Sequence, residues 1–447
     1  MRILIDQGVH DLRNKGNNAM LEVALERFTK RWPDASLEVI TQSPHVLRFY
    51  FPKARPVSLN EQFDGSQRES PTDVMFQDLP RAIQWLGLEL HEEMRRRRTN
   101  KGASKDSARF KWSQESTLTA QGEVRSSSFA STEDRAAREF RFTQVIKGVD
   151  LYAAVGGQYI SDVCKPSAIR LLDRIKVAVK LGVPCVMLGQ GMGPIEDPEL
   201  RAKANEVLPL LPLIAVREKV YAPQLLEAFG VDRSRIVVTG DDAIEMTFEA
   251  RREEVGTAIG VGIRVVSYTE ISEDQFEGLK ETIHHAASLL RAKLIALPIS
   301  QHIWEADNRM IGQLMAGYPD KWIGWSKFES CSSLIRRVSE CRLVVTGAFH
   351  TAVFALAQGI PAVCIASSAH YANKFMGLAD QFGEGCSVIL VSEGNWQGKL
   401  LESIKMCWRS YEDMRPLLLK AAVLQIEKGN SAYNRVFELV ESMKKSG

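Results

Sequence analysis

The sequence predicts an α/β protein of two Rossmann-like domains facing a cleft, followed by a helical C-terminal tail. Three observations carry this expectation. Short apolar strands alternate with amphipathic helices along the chain, glycines and charged residues recur where strands end, and the alternation restarts after a polar bridge near residues 249–258. A chain of 447 residues is too long for one ordinary core and suits two domains of roughly 200 residues each. We place the first at 1–248, with an insertion over about 60–138, the second at 259–405 and the tail at 406–447.

Arg2 to Ile5 forms the first strand, and Gly8, Asn14, Gly16, Asn17 and Asn18 form a flexible polar turn. A helix follows with Met20, Leu21, Val23, Ala24, Leu25 and Phe28 on one broad face, and Leu37 to Ile40 is the next strand. The turn could bring backbone amides close to a ligand, with Asn17 among its residues. From Leu59 to Arg138 the rhythm breaks: the stretch is rich in Ser, Arg, Lys, Glu and Gln and reads as a mobile insertion. Its run Arg95 to Arg98 suits an acidic polymer or membrane headgroups, or else is a solvated helix face.

Order returns at Asp150. LYAAVGGQYISD is a strand ending at Gly156-Gly157, with Gln158 beyond it, and a helix spans Pro166 to Leu181. VPCVMLGQGMGP is a strand and loop carrying Gln190, in which Met192 and the glycines shape the turn. The strand Pro212 to Val216 delivers Arg217 and Glu218, a ligand-binding arginine or a structural ion pair. Ile236 to Val238 ends at Gly240-Asp241-Asp242.

The second half opens on IGVGIRVVS, with Arg264 at its far end. Leu294 to Leu297 leads into PISQHIWEAD, which sets Gln301, His302, Glu305 and Asp307 at another strand end. The densest stretch is Cys341 to Ile365. A buried strand, the turn Thr346-Gly347-Ala348, a helix opening near His350 and Thr351, a stop at Gly359 and a strand after Pro361 make one βαβ unit. Amides of Phe349, His350 and Thr351 would face an anion there, with the helix dipole behind them. His350 is the side chain at that helix start able to move protons near pH 7, or it only caps the helix. Two facing halves of this kind have the architecture of GT-B glycosyltransferases, which names no reaction by itself.

A hydrophobic content of 45% and a charged content of 25% are those of a soluble globular protein. A formal charge of +2 implies no nucleic-acid partner. Seven scattered cysteines without a CxxC pair point to a reducing compartment. The first residues open directly on a strand without a signal peptide, and no apolar run reaches the roughly 20 residues of a membrane span. The expected location is cytoplasmic, and the histidines lack zinc-site spacing.

Several strand ends, taken together and in order, resemble the polysaccharide pyruvyl transferase family. They are Gly16-Asn17 with Ala19-Met20-Leu21, GGQYISD, GQGMGP, AVREKVYAPQLLEAFGV with GDDA, GIRVVS, LPISQ, TGAFHTAVFALAQGIPAV and the lysine of HYANKF. The resemblance implies a GT-B enzyme that moves the enolpyruvyl unit of phosphoenolpyruvate onto a sugar, with no metal or cofactor. It implies His350 as general acid, Arg217 and Arg264 as bidentate donors to phosphate or carboxylate, and Lys374 as a further charge. Asp241 would orient an arginine or accept the acceptor's proton, while Gly347, Phe349 and Thr351 would cradle the donor. Asn17, Gly157, Gln158, Gln190 and Gln301 would form acceptor or cleft loops. One position departs: the family's Arg-x-His pattern has Ala348 here. A nucleotide-sugar transferase and a catalytically impaired glycan-binding or partner-binding member are the alternatives.

Overall fold

A computed structural model describes residues 1–8, 10–59, 132–264, 271–301, 307–324, 329–367 and 369–446. It contains two all-parallel sheets. The first has seven strands: β1 (Arg2–Asp6), β2 (Ser36–Ile40), β3 (Arg55–Val57), β4 (Leu151–Val155), β5 (Cys185–Gln190), β6 (Ile214–Val216) and β7 (Ile236–Val238). Their spatial order is β3-β2-β1-β4-β5-β6-β7. The second has β8 (Ala258–Gly262), β9 (Lys293–Ala296), β10 (Lys321–Trp322), β11 (Cys341–Thr346), β12 (Ala362–Ala366) and β13 (Cys386–Leu390), in the order β10-β9-β8-β11-β12-β13. Burial on both faces explains their nearly unbroken apolar runs: β4, β5 and β12 are buried at every position.

In each sheet the order reverses once, between β1 and β4 and between β8 and β11. At such reversals the crossover helices go to opposite faces, leaving a crevice at the strand carboxyl ends. The two crevices place Asp6 to Gly8 and Gly156 to Gln158 on one side, and Gly262 to Arg264 and Thr346 to His350 on the other.

Helices α1 (Lys15–Arg31) and α2 (Pro44–Tyr50) flank the early strands. Helix α3 (Thr132–Ile146) corrects the expected insertion, whose last residues up to 138 belong to a helix. The anchor is apolar: Phe142 is buried against Tyr152, ring centroids 5.6 Å apart. The rest of that insertion, including Arg95 to Arg98, lies outside the described residues. Helices α4 (Lys165–Lys180), α5 (Pro198–Val207), α6 (Ala222–Ala228) and α7 (Ala243–Glu249) complete the first half. The second carries α8 (Glu273–Leu290), α9 (Asp307–Met315), α10 (Cys331–Val338), α11 (Phe349–Leu356), α12 (Ala369–Phe382) and α13 (Trp396–Arg409).

The tail is one helix, α14 (Tyr411–Ser446), and it returns to the first sheet. Its Ala432, Tyr433, Val436 and Val440 are buried in one cluster with Ile3, Ile5, Leu21 and Phe28. Arg27 lies 4.5 Å from the Tyr433 ring centre and donates to Asp242 at 2.9 Å and Glu245 at 2.8 Å. A second shared cluster joins Ala19 and Met20 of α1 to Leu334, Ala352 and Val353 of the second half. Among the described residues, no helix is long and apolar enough to cross a membrane.

Candidate functional site

The two crevices face one another across a cavity of about 280 Å³ lined from both halves. Gln158, Arg217 and Tyr221 come from the first, and Phe349, Lys374 and Gln381 from the second. Met192, between Gly191 and Gly193, also lines it, so the GQGMGP loop is wall as well as turn.

Arg217 is the central side chain. Three apolar residues of β6 carry it out of the sheet, and it remains only 5% exposed. Its guanidinium donates to Asp241 Oδ2 at 3.2 Å and to Gln158 Oε1 at 3.0 Å. It lies over the Phe349 ring at 4.2 Å, while its carbonyl accepts from Gln381 Nε2 at 2.8 Å. The guanidinium rests directly on the backbone of Gly191, where a Cβ would come within 2.5 Å of Nη2. Arg217 does not pair with Glu218, whose carboxylate instead accepts from the amides of Val220, Tyr221 and Ala222 at the start of α6. Burial lowers the Arg217 pKa, and Asp241 opposes that shift.

His350 and Asp241 lie behind this wall. His350 Nε2 stands 3.5 Å from Asp241 Oδ2, an electrostatic contact rather than a directed hydrogen bond. Burial pushes the imidazole below its ordinary pKa against the pull of Asp241, and Arg217 and Arg264 add to the depression. Burial alone would raise Asp241, but His350 and Arg217 outweigh it and hold the carboxyl below its usual range. Lys374 is pushed down to about 7, first by burial and then by Arg217 and Arg264. Arg264, just past β8, is half-buried and belongs electrostatically to the same cluster. Among the described residues, the site thus gathers Arg217, Arg264 and Lys374 about the imidazole of His350, with the buried carboxylate of Asp241 beside it.

Other expected residues are placed differently. The Gly347 and Ala348 amides donate to Gly262 O at 3.0 and 3.2 Å, and the Thr351 amide donates to Ala348 O at 3.1 Å. Gly347 and Thr351 thus spend their amides on the turn and the first helical turn, and offer none to an anion. Gln190 is fully buried, with Nε2 donating to Leu188 O and Tyr159 Oη at 2.9 Å; it braces the first domain rather than lining the cleft. Asn17 accepts from Gln7 Nε2 through its carbonyl at 2.7 Å, and Gly157 O accepts from the Gly191 amide at 2.8 Å. Neither lines the cavity. The Gln301 amide donates to Arg13 O at 3.0 Å, a link between the halves. His302 and Glu305 fall outside the described residues. Ala348 is 2% exposed within an apolar cluster, so its side chain lies away from the cleft.

Sequence reading missed Tyr221, Gln381 and Asn373 on the wall, and Gly16 against His350. Asn373 and Gln381 sit on α12 and Tyr221 caps the start of α6, where facing is set by the docking of the halves, so no local pattern marks them. Gly16 stood within a glycine-asparagine turn, but its partner is 334 residues away in sequence.

The family model described as "Polysaccharide pyruvyl transferase" matches residues 14–369. Solved structures of similar fold include a putative UDP-N-acetylglucosamine 2-epimerase from Listeria monocytogenes, 11% identical, TM-score 0.55, with 100% of this chain and 97% of that chain covered. The UDP-GlcNAc 2-epimerase of Neisseria meningitidis bound to UDP-GlcNAc is 11% identical, TM-score 0.56, with 99% and 100% covered. That of Methanocaldococcus jannaschii is 9% identical, TM-score 0.53, with 91% and 93% covered. At such identities the likeness establishes the GT-B fold alone. No curated protein matches the chain.

Proposed function

The chain belongs to the polysaccharide pyruvyl transferase family, and on that premise we propose that it transfers the pyruvyl unit of phosphoenolpyruvate onto sugar hydroxyls as a ketal. The observation that supports this reading is that Arg217 and Lys374 line one cavity, while Arg217 and Arg264 act electrostatically on both His350 and Lys374. Phosphoenolpyruvate brings a phosphate and a carboxylate, and such a cluster favours their binding. It also answers the imidazole's low pKa. A bound phosphate dianion draws a proton back onto His350, and Asp241 at 3.5 Å steadies the imidazolium.

His350 then gives its proton to the methylene carbon, and the double bond becomes a methyl group beside an oxocarbenium-like C2. One sugar hydroxyl attacks C2 and loses its proton. The bond from C2 to the phosphate oxygen breaks, and inorganic phosphate leaves with the electron pair. A second hydroxyl of the sugar closes the ketal and releases its own proton. One of the two protons restores His350 and the other leaves with phosphate. With alanine at position 348, the cations that line the cavity are Arg217 from the first half and Lys374 from the second.

The test is incubation with phosphoenolpyruvate and a panel of hexosides carrying two neighbouring free hydroxyls. Phosphate release together with a new ketal methyl signal in proton NMR is expected. His350→Ala should lower that rate by about 10²–10⁴-fold, the usual worth of a general acid. An unchanged rate in this variant would remove His350 from the chemistry.

A further inference from the structure

The His350 ring belongs to the second domain, yet the backbone of the first domain packs directly against it. A Cβ on Gly16 would lie 2.0 Å from His350 Cγ and 2.1 Å from Nδ1, so the α1 backbone lies directly against the imidazole. Asp241, at 3.5 Å from Nε2, is also of the first domain. The ring is thus flanked by groups of the opposite half of the molecule, and its placement depends on how firmly the halves are joined there.

The joint lies one residue away. Asn14 pairs with Ser300 in an antiparallel bridge, the Lys15 amide donates to Ile299 O at 3.0 Å, and Gln301 donates back to Arg13. Asp307 Oδ2 stiffens the receiving loop by accepting from the Ile299 and Ser300 amides at 2.9 and 2.7 Å. Beside this bridge Lys15 is 3% exposed, and its Nζ donates to Glu329 Oε2 at 2.8 Å and to Pro298 O at 3.3 Å. Glu329 is also paired with Arg337. Removing a lysine and a glutamate from water is costly, and apolar residues of like shape would often serve stability as well. What the pair adds is a fixed register between two domains.

We propose that Lys15 is a positioning residue: its buried pair with Glu329 latches the first domain to the second and holds Gly16 against the His350 ring. The proton donor is then complete only in the closed molecule. This rests on His350 acting as the donor in the proposed reaction, so its test includes a readout independent of activity.

The experiment uses the full chain with 13C-labelled histidine, the His350 signal being the one lost in His350→Gln. Lys15→Met and Glu329→Gln are compared with the parent by His350 titration and melting temperature, and by kcat and KM for phosphoenolpyruvate. In both variants the His350 pKa should rise toward its ordinary value as the ring loses its cover. The kcat should fall about tenfold or more, since a misplacement near 1 Å costs on the order of 10²-fold, with KM changed less than about twofold. An unshifted His350 titration in either folded variant would overturn the latch, as would unfolding of both, which would make the pair a stability element. A variant-sensitive titration in a protein that transfers no pyruvyl group would keep the latch and remove the reaction.

Discussion

Gly191 shows how much of the site turns on single atoms. Its missing Cβ lets the Arg217 guanidinium lie on the backbone, so Gly191→Ala should push the guanidinium off Asp241 and Gln158. Losing such a charged hydrogen-bonding position costs about 1.5–3 kcal/mol. The expected result is roughly a tenfold to hundredfold weaker affinity for phosphoenolpyruvate by calorimetry, with the fold intact. Lys374 supplies a pH signature. Its pKa in the free protein is pushed down to about 7, and a bound dianion raises it. Above about 7, binding must take up a proton, and affinity should fall by up to about tenfold per pH unit. The slope has this sign because the charged lysine is the binding form. Lys374→Met should bind more weakly below pH 7 and show a shallower slope above it, keeping only the part that comes from proton uptake at His350.

At the level of elements, most of the architecture is legible in the sequence. The βα alternation, the bridge between the halves and the unit around His350 follow from apolar period and from glycine and proline punctuation, which act over a few residues. Less was readable where distant parts decide the outcome. Helix α3 begins in a polar, serine-rich context, and its anchor, Phe142 on Tyr152, is a tertiary contact. The partner of Arg217 was read from its neighbour Glu218, whereas Asp241, 24 residues on, takes that place and Glu218 caps a helix. Gly347 and Thr351 were assigned to an anion because helix starts expose amides, but the tight turn consumes them internally. Arg217, Lys374, Phe349 and Gln158 line the cavity, and the sequence points to that region because they sit at strand ends or early in helices facing the crevice.

For the molecule as a whole, the tail ties the two halves together. Tyr411 and Leu418 of α14 are buried in the second half's core, while Tyr433 and Val436 are buried in the first. Tyr433→Ala removes a ring that packs on Phe28 at 5.6 Å and covers Arg27, and should cost about 3–5 kcal/mol in denaturant unfolding. A loss below about 1 kcal/mol would show that the tail is only loosely docked. Together with the Lys15–Glu329 pair, the tail leaves His350 enclosed between domains, where burial and the neighbouring Arg217 and Arg264 lower its pKa. The most direct measurement is a calorimetric titration of the full chain with phosphoenolpyruvate and, separately, with UDP. Binding of phosphoenolpyruvate that weakens in Arg217→Ala and Lys374→Met, with no heat from UDP, is the expected result. Binding of UDP without phosphoenolpyruvate would contradict it and make the cation cluster a nucleotide-diphosphate site.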